Sequence, residues 1–313
     1  MKRSFFLLAA GFLAAAVLPA HAKIEHTVEK SFAVQPGGSI QVATAGGEIS
    51  VQPSTEAVVR ITVRERIRAD SEAEAGEILQ RLNLTLEQHG NAITAAAEYP
   101  SQPLGFSIGS WPPVQVDFIV TVPASFAAEL RTSGGNITVG DLTGTLRAHA
   151  SGGNIRLGRM GADVDASTSG GNISVTEGRG AVRLHTSGGS LLVERAVGPA
   201  DLSTSGGNIR VPLAENTVHA STSGGSIEAR VDGAIKGDCE LRTSGGRVEA
   251  TVAKTASFTL DASTSGGHVE AEGLTLANVE ANRGRSRLSG TVNGGGPRLI
   301  LHSSGGNVAV QAL

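Results

Sequence analysis

Residues 164–175 read Val-Asp-Ala-Ser-Thr-Ser-Gly-Gly-Asn-Ile-Ser-Val, and the tripeptide Ser169-Gly170-Gly171 at their centre decides the architecture. Ser-Gly-Gly begins at Ser133, Ser151, Ser169, Ser187, Ser205 and Ser223, five consecutive steps of 18 residues. It continues at Ser244 and Ser265 in two steps of 21 and returns at Ser304 after a degenerate copy near Gly284. A fixed period near ~20 residues is the signature of a solenoid whose coils bury their apolar faces against one another. Three residues before the serines stand Leu130, Ala148, Ala166, Leu184 and Leu202; four after them stand Ile137, Ile155, Ile173, Leu191 and Ile209. Two further on come Val139, Leu157, Val175, Val193 and Val211, and the residues between are mostly polar. That period-two alternation predicts short strands with one buried face. The pairs Gly134-Gly135, Gly152-Gly153, Gly170-Gly171, Gly188-Gly189, Gly206-Gly207 and Gly224-Gly225 mark the corners. Positive φ, cheap only for glycine, is the expected reason for them. Asn136, Asn154, Asn172, Asn208 and Asn307 follow five of the pairs and are placed to hydrogen-bond along the stack, as in cross-β ladders. The fold class is therefore all-β, a single-stranded parallel β-helix (β-solenoid) with coils of 18 to 21 residues.

Four residues before each serine lies a charged row: Glu129, Arg147, Asp165, Arg183 and Asp201 alternate strictly in sign, followed by His219, Glu240 and Asp261. Stacked at the ordinary strand spacing of ~4.8 Å, each of the first five has opposite charges as neighbours. The pairs contribute about 0.2–1 kcal/mol each, less where exposed, and a slip of one coil would stack like charges. The ladder thus specifies register; a charge-patterned binding face is the functional alternative. Five residues after the serine, Glu228, Glu249 and Glu270 are expected to stack in three consecutive coils. They form a candidate edge for a divalent cation, which carboxylate oxygens suit, or for a basic partner; the plainer alternative is a solvated edge partly neutralised by Arg210, Arg247 and His268. His149, His185 and His302 share one outward position, but His149 and His185, two coils or ~10 Å apart, cannot share a metal ion.

Composition narrows the rest. Glycine makes up 42 of 313 residues, about twice the usual ~7%, and 33 of the 42 lie in 131–313, so the repeat and the composition shift mark one boundary. A hydrophobic fraction of 40% is too high for a disordered chain, and a net charge of −3 excludes a generally basic nucleic-acid binder. The lone Cys239 excludes an internal disulfide and a multi-cysteine zinc site, and reads as a small buried apolar residue. Lys2 and Arg3, the apolar run Phe5 to Leu18, Pro19 and the Ala20-His21-Ala22 site predict a signal peptide over 1–22, cleaved after Ala22. The run of ~14 apolar residues is short of the ~20 that span a bilayer. Without Lys2 and Arg3, 24 basic residues face 29 acidic ones. No second apolar run follows, so the expected mature chain is exported, periplasmic or associated with the cell surface, with no transmembrane segment and no lipid anchor of its own.

Residues 23–130 do not repeat and are expected to cap the solenoid over 131–313. Strands are predicted over 39–51, 57–67, 82–87, 91–97 and 114–122, and Ala45-Gly46-Gly47-Glu48-Ile49 looks like an early, diverged coil. Ser71 and Glu74 form a capping box that opens a helix over 71–82. Trp111, in the Pro/Gly/Ser-rich stretch from Pro100 to Pro113, is either a packed cap residue or a binding anchor.

Neither H-E-x-x-H nor G-x-x-x-x-G-K-[ST] occurs in the sequence. Nine repeated Ser-Gly-Gly serines argue for turn chemistry over a nucleophile. Calcium β-rolls need G-G-x-G-x-D, whereas here N-I-x-V follows the glycines. With Phe258 as its one aromatic residue, the repeat region has no stacking platform for sugars. The tract 164–175 and its repeats, F-x-V-x-P-G-G-S-I at 32–40 and V-x-V-x-F-x-V-x-V-P-A at 114–124 resemble the bacterial "putative adhesin" family, domain of unknown function 4097, over nearly all of the chain after residue 22. The resemblance implies a right-handed β-helix-like repeat and an envelope role, and it supplies no catalytic residues. The expected function is non-catalytic: an adhesin-like binding or scaffolding module, with an envelope protein or surface glycan as partner and no cofactor, metal or nucleic acid. The alternatives are a polysaccharide-active β-helix enzyme and a periplasmic structural or stress-response protein.

Overall fold

Each Ser-Gly-Gly corner joins two short strands that run into different sheets: Val164–Thr168 precedes Ser169 and Ile173–Gly178 follows Gly171. The computed structural model describes residues 24–99, 113–282 and 284–313; the expected signal segment 1–22, Phe106 and Trp111 lie outside them. Repetition of the corner places the segments after the corners in one sheet (sheet I) and the segments before them in another (sheet II); with the strands added at their ends, the two sheets have 13 and 14 strands among the described residues. The repeat strands are parallel, with Ile155, Ile173, Leu191 and Ile209 opposite one another in sheet I. Ala148, Ala166, Leu184 and Leu202 are opposite one another in sheet II. These rows face each other between the sheets and are buried, which drives the stack at about 25 cal/mol per Å² of apolar surface.

A polar row lies inside this core. Thr132, Thr168, Thr186, Thr204, Thr222, Thr243 and Thr264, each just before a Ser-Gly-Gly, are buried. The Thr186 hydroxyl donates to Gly171 O at 2.9 Å and accepts from Gly189 N at 3.3 Å, so each hydroxyl ties its own corner to the coil below. The asparagines do the same outside: Asn136, Asn154 and Asn172 Oδ1 accept from the backbone N–H of residues 154, 172 and 190 at 2.9, 2.9 and 2.7 Å. The corner glycines are needed for space, not for positive φ. None of the corner pairs has φ in the left-handed region. A Cβ on the second glycine would lie 1.9 Å from the carbonyl oxygen of the coil below at Gly153, Gly189 and Gly225. On the first glycine it would meet only ordinary contacts of 3.6 Å or more at Gly170 and Gly188, and a slightly tight one of 3.3 Å at Gly206. Coils pack backbone to backbone at one point of each corner, and only the second glycine permits it.

At the N-terminal end Ser39–Thr44 and Ile49–Ser54 flank Ala45-Gly46-Gly47 and stack in register on the next coil, Val42 opposite Leu130 and Ile49 opposite Ile137. The coiled stack thus begins upstream of residue 131. Beyond it, Val114–Pro123, Val58–Ile67 and Ile24–Ala33 extend sheet I, with antiparallel pairing of the last two. Ala92–Glu98 and Asn83–His89 extend sheet II. The helix is Glu72–Leu79, with Glu74 N donating to Ser71 Oγ at 3.2 Å; it stops short of Leu82 as the chain turns into the next strand.

The coils do not all stack in sequence order. After Val248–Val252 the chain skips a rung and lays down Phe258–Thr264 and Val269–Glu272. It then forms an antiparallel hairpin, Leu276–Ala281 with Arg287–Val292, where the degenerate copy near Gly284 was expected. Finally it returns with Arg298–Ser303 and Val308–Ala312 into the skipped rung. The last coil therefore sits between the coils of Ser244 and Ser265.

Candidate functional site

The outward face of sheet II carries the alternating ladder. Arg147 lies opposite Glu129 and Asp165, Arg183 opposite Asp165 and Asp201, and His219 follows Asp201. Glu129 is half-buried, and Arg147, Asp165, Arg183 and Asp201 are exposed. Among the described residues, none of Arg147, Asp165, Arg183 and Asp201 forms an ion pair; Glu129 is bound by Arg131 at 2.6 Å. Two residues along each strand runs a second outward row, in which imidazoles bridge rungs: His149 Nδ1 lies 2.9 Å from Ser167 Oγ, His185 Nδ1 2.8 Å from Ser203 Oγ and His302 Nδ1 3.1 Å from Ser263 Oγ. Part of this face is concave. A groove of about 410 Å³ is lined by Gln41, Glu129, Arg147, Asp165 and Arg183 among others. It adjoins a second of about 340 Å³ that adds Arg131, His149 and Ser167.

A second alternating ladder, at the far corner of the coils, escaped the sequence reading. Asp141, Arg159, Glu177 and Arg195 follow one another at 18-residue steps, and Glu215 ends the row. Here the side chains close on one another. Arg159 reaches Asp141 at 3.4 Å, Glu177 holds Arg179 at 2.7 Å and Arg195 at 3.3 Å, and Arg195 reaches Glu215 at 2.6 Å. The hydrogen bond from Arg179, with the nearby guanidinium charges, holds the Glu177 carboxyl below the usual carboxylate range. Its sequence signal was the same sign alternation, placed away from the Ser-Gly-Gly frame.

The acidic edge of sheet I is not the expected stack of three. Glu228 lies opposite Glu249, but Ala309 of the threaded coil separates Glu249 from Glu270. Each carboxylate also has a cationic partner or an imidazole: Arg210 to Glu228 at 3.3 Å, Arg247 to Glu249 at 3.2 Å, His268 to Glu270 at 3.2 Å. Glu228, Glu249 and Glu270 thus form a paired edge interrupted by Ala309 and not a continuous carboxylate stack. Cys239 is buried, and burial pushes its thiol up. Among the described residues no carboxylate bonds the imidazoles of the three His–Ser pairs, the third member that a nucleophilic dyad uses. The sheet II face presents charges at fixed spacing with hydroxyl and imidazole groups beside them.

Comparison with known proteins gives one family, Toastrack DUF4097, which matches residues 38–311. Among solved structures, a "putative adhesin" from Bacteroides fragilis NCTC 9343 is 12% identical, with 92% of this chain and 97% of that one covered and a TM-score of 0.42. A "putative adhesin" from Parabacteroides merdae ATCC 43184 is 14% identical, with 92% and 96% covered and a TM-score of 0.42. A "putative lipid binding protein" from Parabacteroides distasonis ATCC 8503 is 13% identical, with 90% and 96% covered and a TM-score of 0.42. No curated protein matches.

Proposed function

The chain belongs to the Toastrack DUF4097 family, and we propose that it is an exported, non-catalytic protein of the cell envelope that binds or scaffolds through the outward face of sheet II. The observation that carries this reading is the contrast between the two ladders. The ladder from Asp141 to Glu215 is neutralised by its own side chains, whereas Arg147, Asp165, Arg183 and Asp201 stand one rung apart with no ion pair among the described residues, the first three of them lining a groove. Charges so presented contribute to a partner's orientation and register more than to raw affinity. The partner is an extended polar chain, either a segment of an envelope protein or a surface glycan. Export rests on Lys2, Arg3, the run Phe5 to Leu18 and cleavage after Ala22, and the coils wind right-handed, as the family resemblance implies.

The test is co-sedimentation of the protein starting at Lys23 with envelope fragments from the producing cells. Changing Arg147→Glu and Arg183→Glu together makes the five-residue row wholly acidic. Retention is expected to fall roughly tenfold or more, about 1.4 kcal/mol or more, compared at a temperature where melting curves show both proteins folded, since the stacked like charges lower the variant's own stability. Equal retention of the variant sinks the assignment to this face, and no retention of the wild type sinks the binding reading. N-terminal sequencing of the extracted protein checks the cleavage site.

A further inference from the structure

The rung that the chain skips is a site for a specific polypeptide segment. We propose that the slot between the coils of Ser244 and Ser265, filled by the chain's own residues 298–313, also accepts the same segment of a second copy, so that the protein forms a dimer by exchange of its last coil.

The slot is demanding on both walls. On the Ser244 side, Ser303 Oγ donates to Gly246 O at 2.7 Å, Val248 N to Asn307 O at 3.0 Å and Leu313 N to Val252 O at 2.9 Å. On the Ser265 side, Thr264 Oγ1 donates to Gly306 O at 2.7 Å, His268 N to Asn307 Oδ1 at 3.2 Å and Val308 N to His268 O at 3.0 Å. A Cβ at Gly306 would lie 2.2 Å from Gly246 O, so only a glycine passes there. The outward positions flanking the slot are carboxylates on both sheets, Glu240 and Asp261 on one and Glu249 and Glu270 on the other. The occupant places Ile300 and Ala309 between them and brings Arg298 to 3.5 Å from Asp261. An occupant must therefore carry the Ser-Gly-Gly-Asn corner, inward apolar residues in register and no outward acidic side chain. Residues 298–313 meet every condition, and a second copy carries the same segment.

Exchange is favoured by where the segment lies in the chain. It is joined to the rest by Asn293-Gly294-Gly295-Gly296-Pro297, whose first three residues have φ of 50°, 89° and 82°. Glycines there permit the chain to open, and a tight hinge of this kind promotes swapping. The vacated slot can also close: the step from Ser223 to Ser244 is 21 residues and crosses one rung, while the step from Ser244 to Ser265, of the same length, crosses two. Closure would set Glu249 against Glu270 and Glu240 against Asp261, so the opened state is biased toward taking a coil back, its own or a neighbour's.

Cys239 gives the readout. Its partner across the slot is Leu299, in register on the adjacent parallel strand and equally buried, within the ~4.4–6.8 Å Cα range that a disulfide bridges. The full chain carrying Leu299→Cys is incubated reduced at rising concentration just below its unfolding midpoint, cooled, oxidised and run on a non-reducing gel. Before incubation, an intramolecular disulfide is expected between Cys239 and the thiol introduced at position 299. Afterwards a disulfide-linked dimer should grow with concentration, with mixed dimers when two chain sizes are combined and pairing of positions 239 and 299 found by peptide mapping. Monomers alone at every concentration, or dimers joined through the two introduced thiols, overturn the proposal. Should Leu299→Cys fail to fold, native mass spectrometry of two wild-type chain sizes taken through the same cycle decides it: mixed dimers support exchange and their absence refutes it.

Discussion

Gly188 and Gly189 are neighbours in one corner, yet alanine should act on them in opposite ways. At Gly189 the new Cβ would sit 1.9 Å from Gly171 O, 2.4 Å from Gly171 C and 2.8 Å from Asn172 N. All three are backbone atoms of the coil below, and comfortable contact with carbon lies near ~3.5 Å. Relief requires the two coils to part by more than ~1 Å at the corner. Four hydrogen bonds cross that gap: Gly188 N to Ser169 O at 2.9 Å, Ile173 N to Ser190 O at 3.0 Å, Ser190 N to Asn172 Oδ1 at 2.7 Å and Thr186 Oγ1 to Gly171 O at 2.9 Å. Losing most of them, at about 0.5–1.5 kcal/mol each and more where a buried group is left unpaired, gives a cost of roughly 3–5 kcal/mol for Gly189→Ala, at the severe end for a single substitution. At Gly188 the nearest atoms are 3.6 Å away and φ is not positive, so Gly188→Ala should change stability by less than about 1 kcal/mol. Urea titration followed by far-UV circular dichroism measures both. If the two variants unfold at the same urea concentration, coil-to-coil contact is not the reason for the second glycine.

Thr186→Val keeps the shape but removes both hydroxyl bonds and should cost about 1–3 kcal/mol in the same titration, while Thr186→Ser recovers most of it. Ile173→Asp places an unpaired carboxylate among Ile155, Leu191 and Ile209 and should abolish cooperative melting; a melt within a few degrees of wild type would contradict the inward assignment. Burial raises the Glu65 carboxyl above its ordinary range, opposed by the charge of His26. The stability tied to its protonated form is therefore full below the unfolded-state pKa and lost as pH rises through the folded-state value. Glu65→Gln should melt above wild type at pH 7 and lose that advantage toward pH 4.

The repeat made the coils legible because each corner repeats one set of constraints: an apolar residue at the position of Leu184, another at that of Leu191, two glycines between. What those glycines do was not legible, since positive φ and close approach both demand Gly and differ only once neighbouring coils are in place. The buried threonines were hidden for a similar reason. Thr186 occupies an inward position that reads as a break in an apolar pattern until its hydroxyl is seen bonded to two glycines. On the candidate face, the order of Glu129, Arg147, Asp165, Arg183 and Asp201 followed from the 18-residue step alone. That Arg147, Asp165, Arg183 and Asp201 remain unpaired while Arg159 and Arg195 close on their carboxylates depends on rotamers and strand twist, which the period does not encode.

The threaded last coil shows one electrostatic rule acting where the periodicity misleads. Equal steps of 21 residues make Ser223, Ser244 and Ser265 look like successive rungs. Stacked so, the outward rows would run Glu228, Glu249, Glu270 on one sheet and Glu240, Asp261 on the other, like charge on like charge. The observed order interrupts both runs, with Ala309 in the first and Ile300 in the second. The one like pair left in contact, Glu228 with Glu249, has a guanidinium at each member, Arg210 at 3.3 Å and Arg247 at 3.2 Å. In the earlier coils alternation within the sequence itself keeps like charges apart, from Glu129 through Asp201. Where the sequence stops alternating, the chain changes the order in which its coils stack, and residues 298–313, which carry no acidic side chain, fill the rung between the charges.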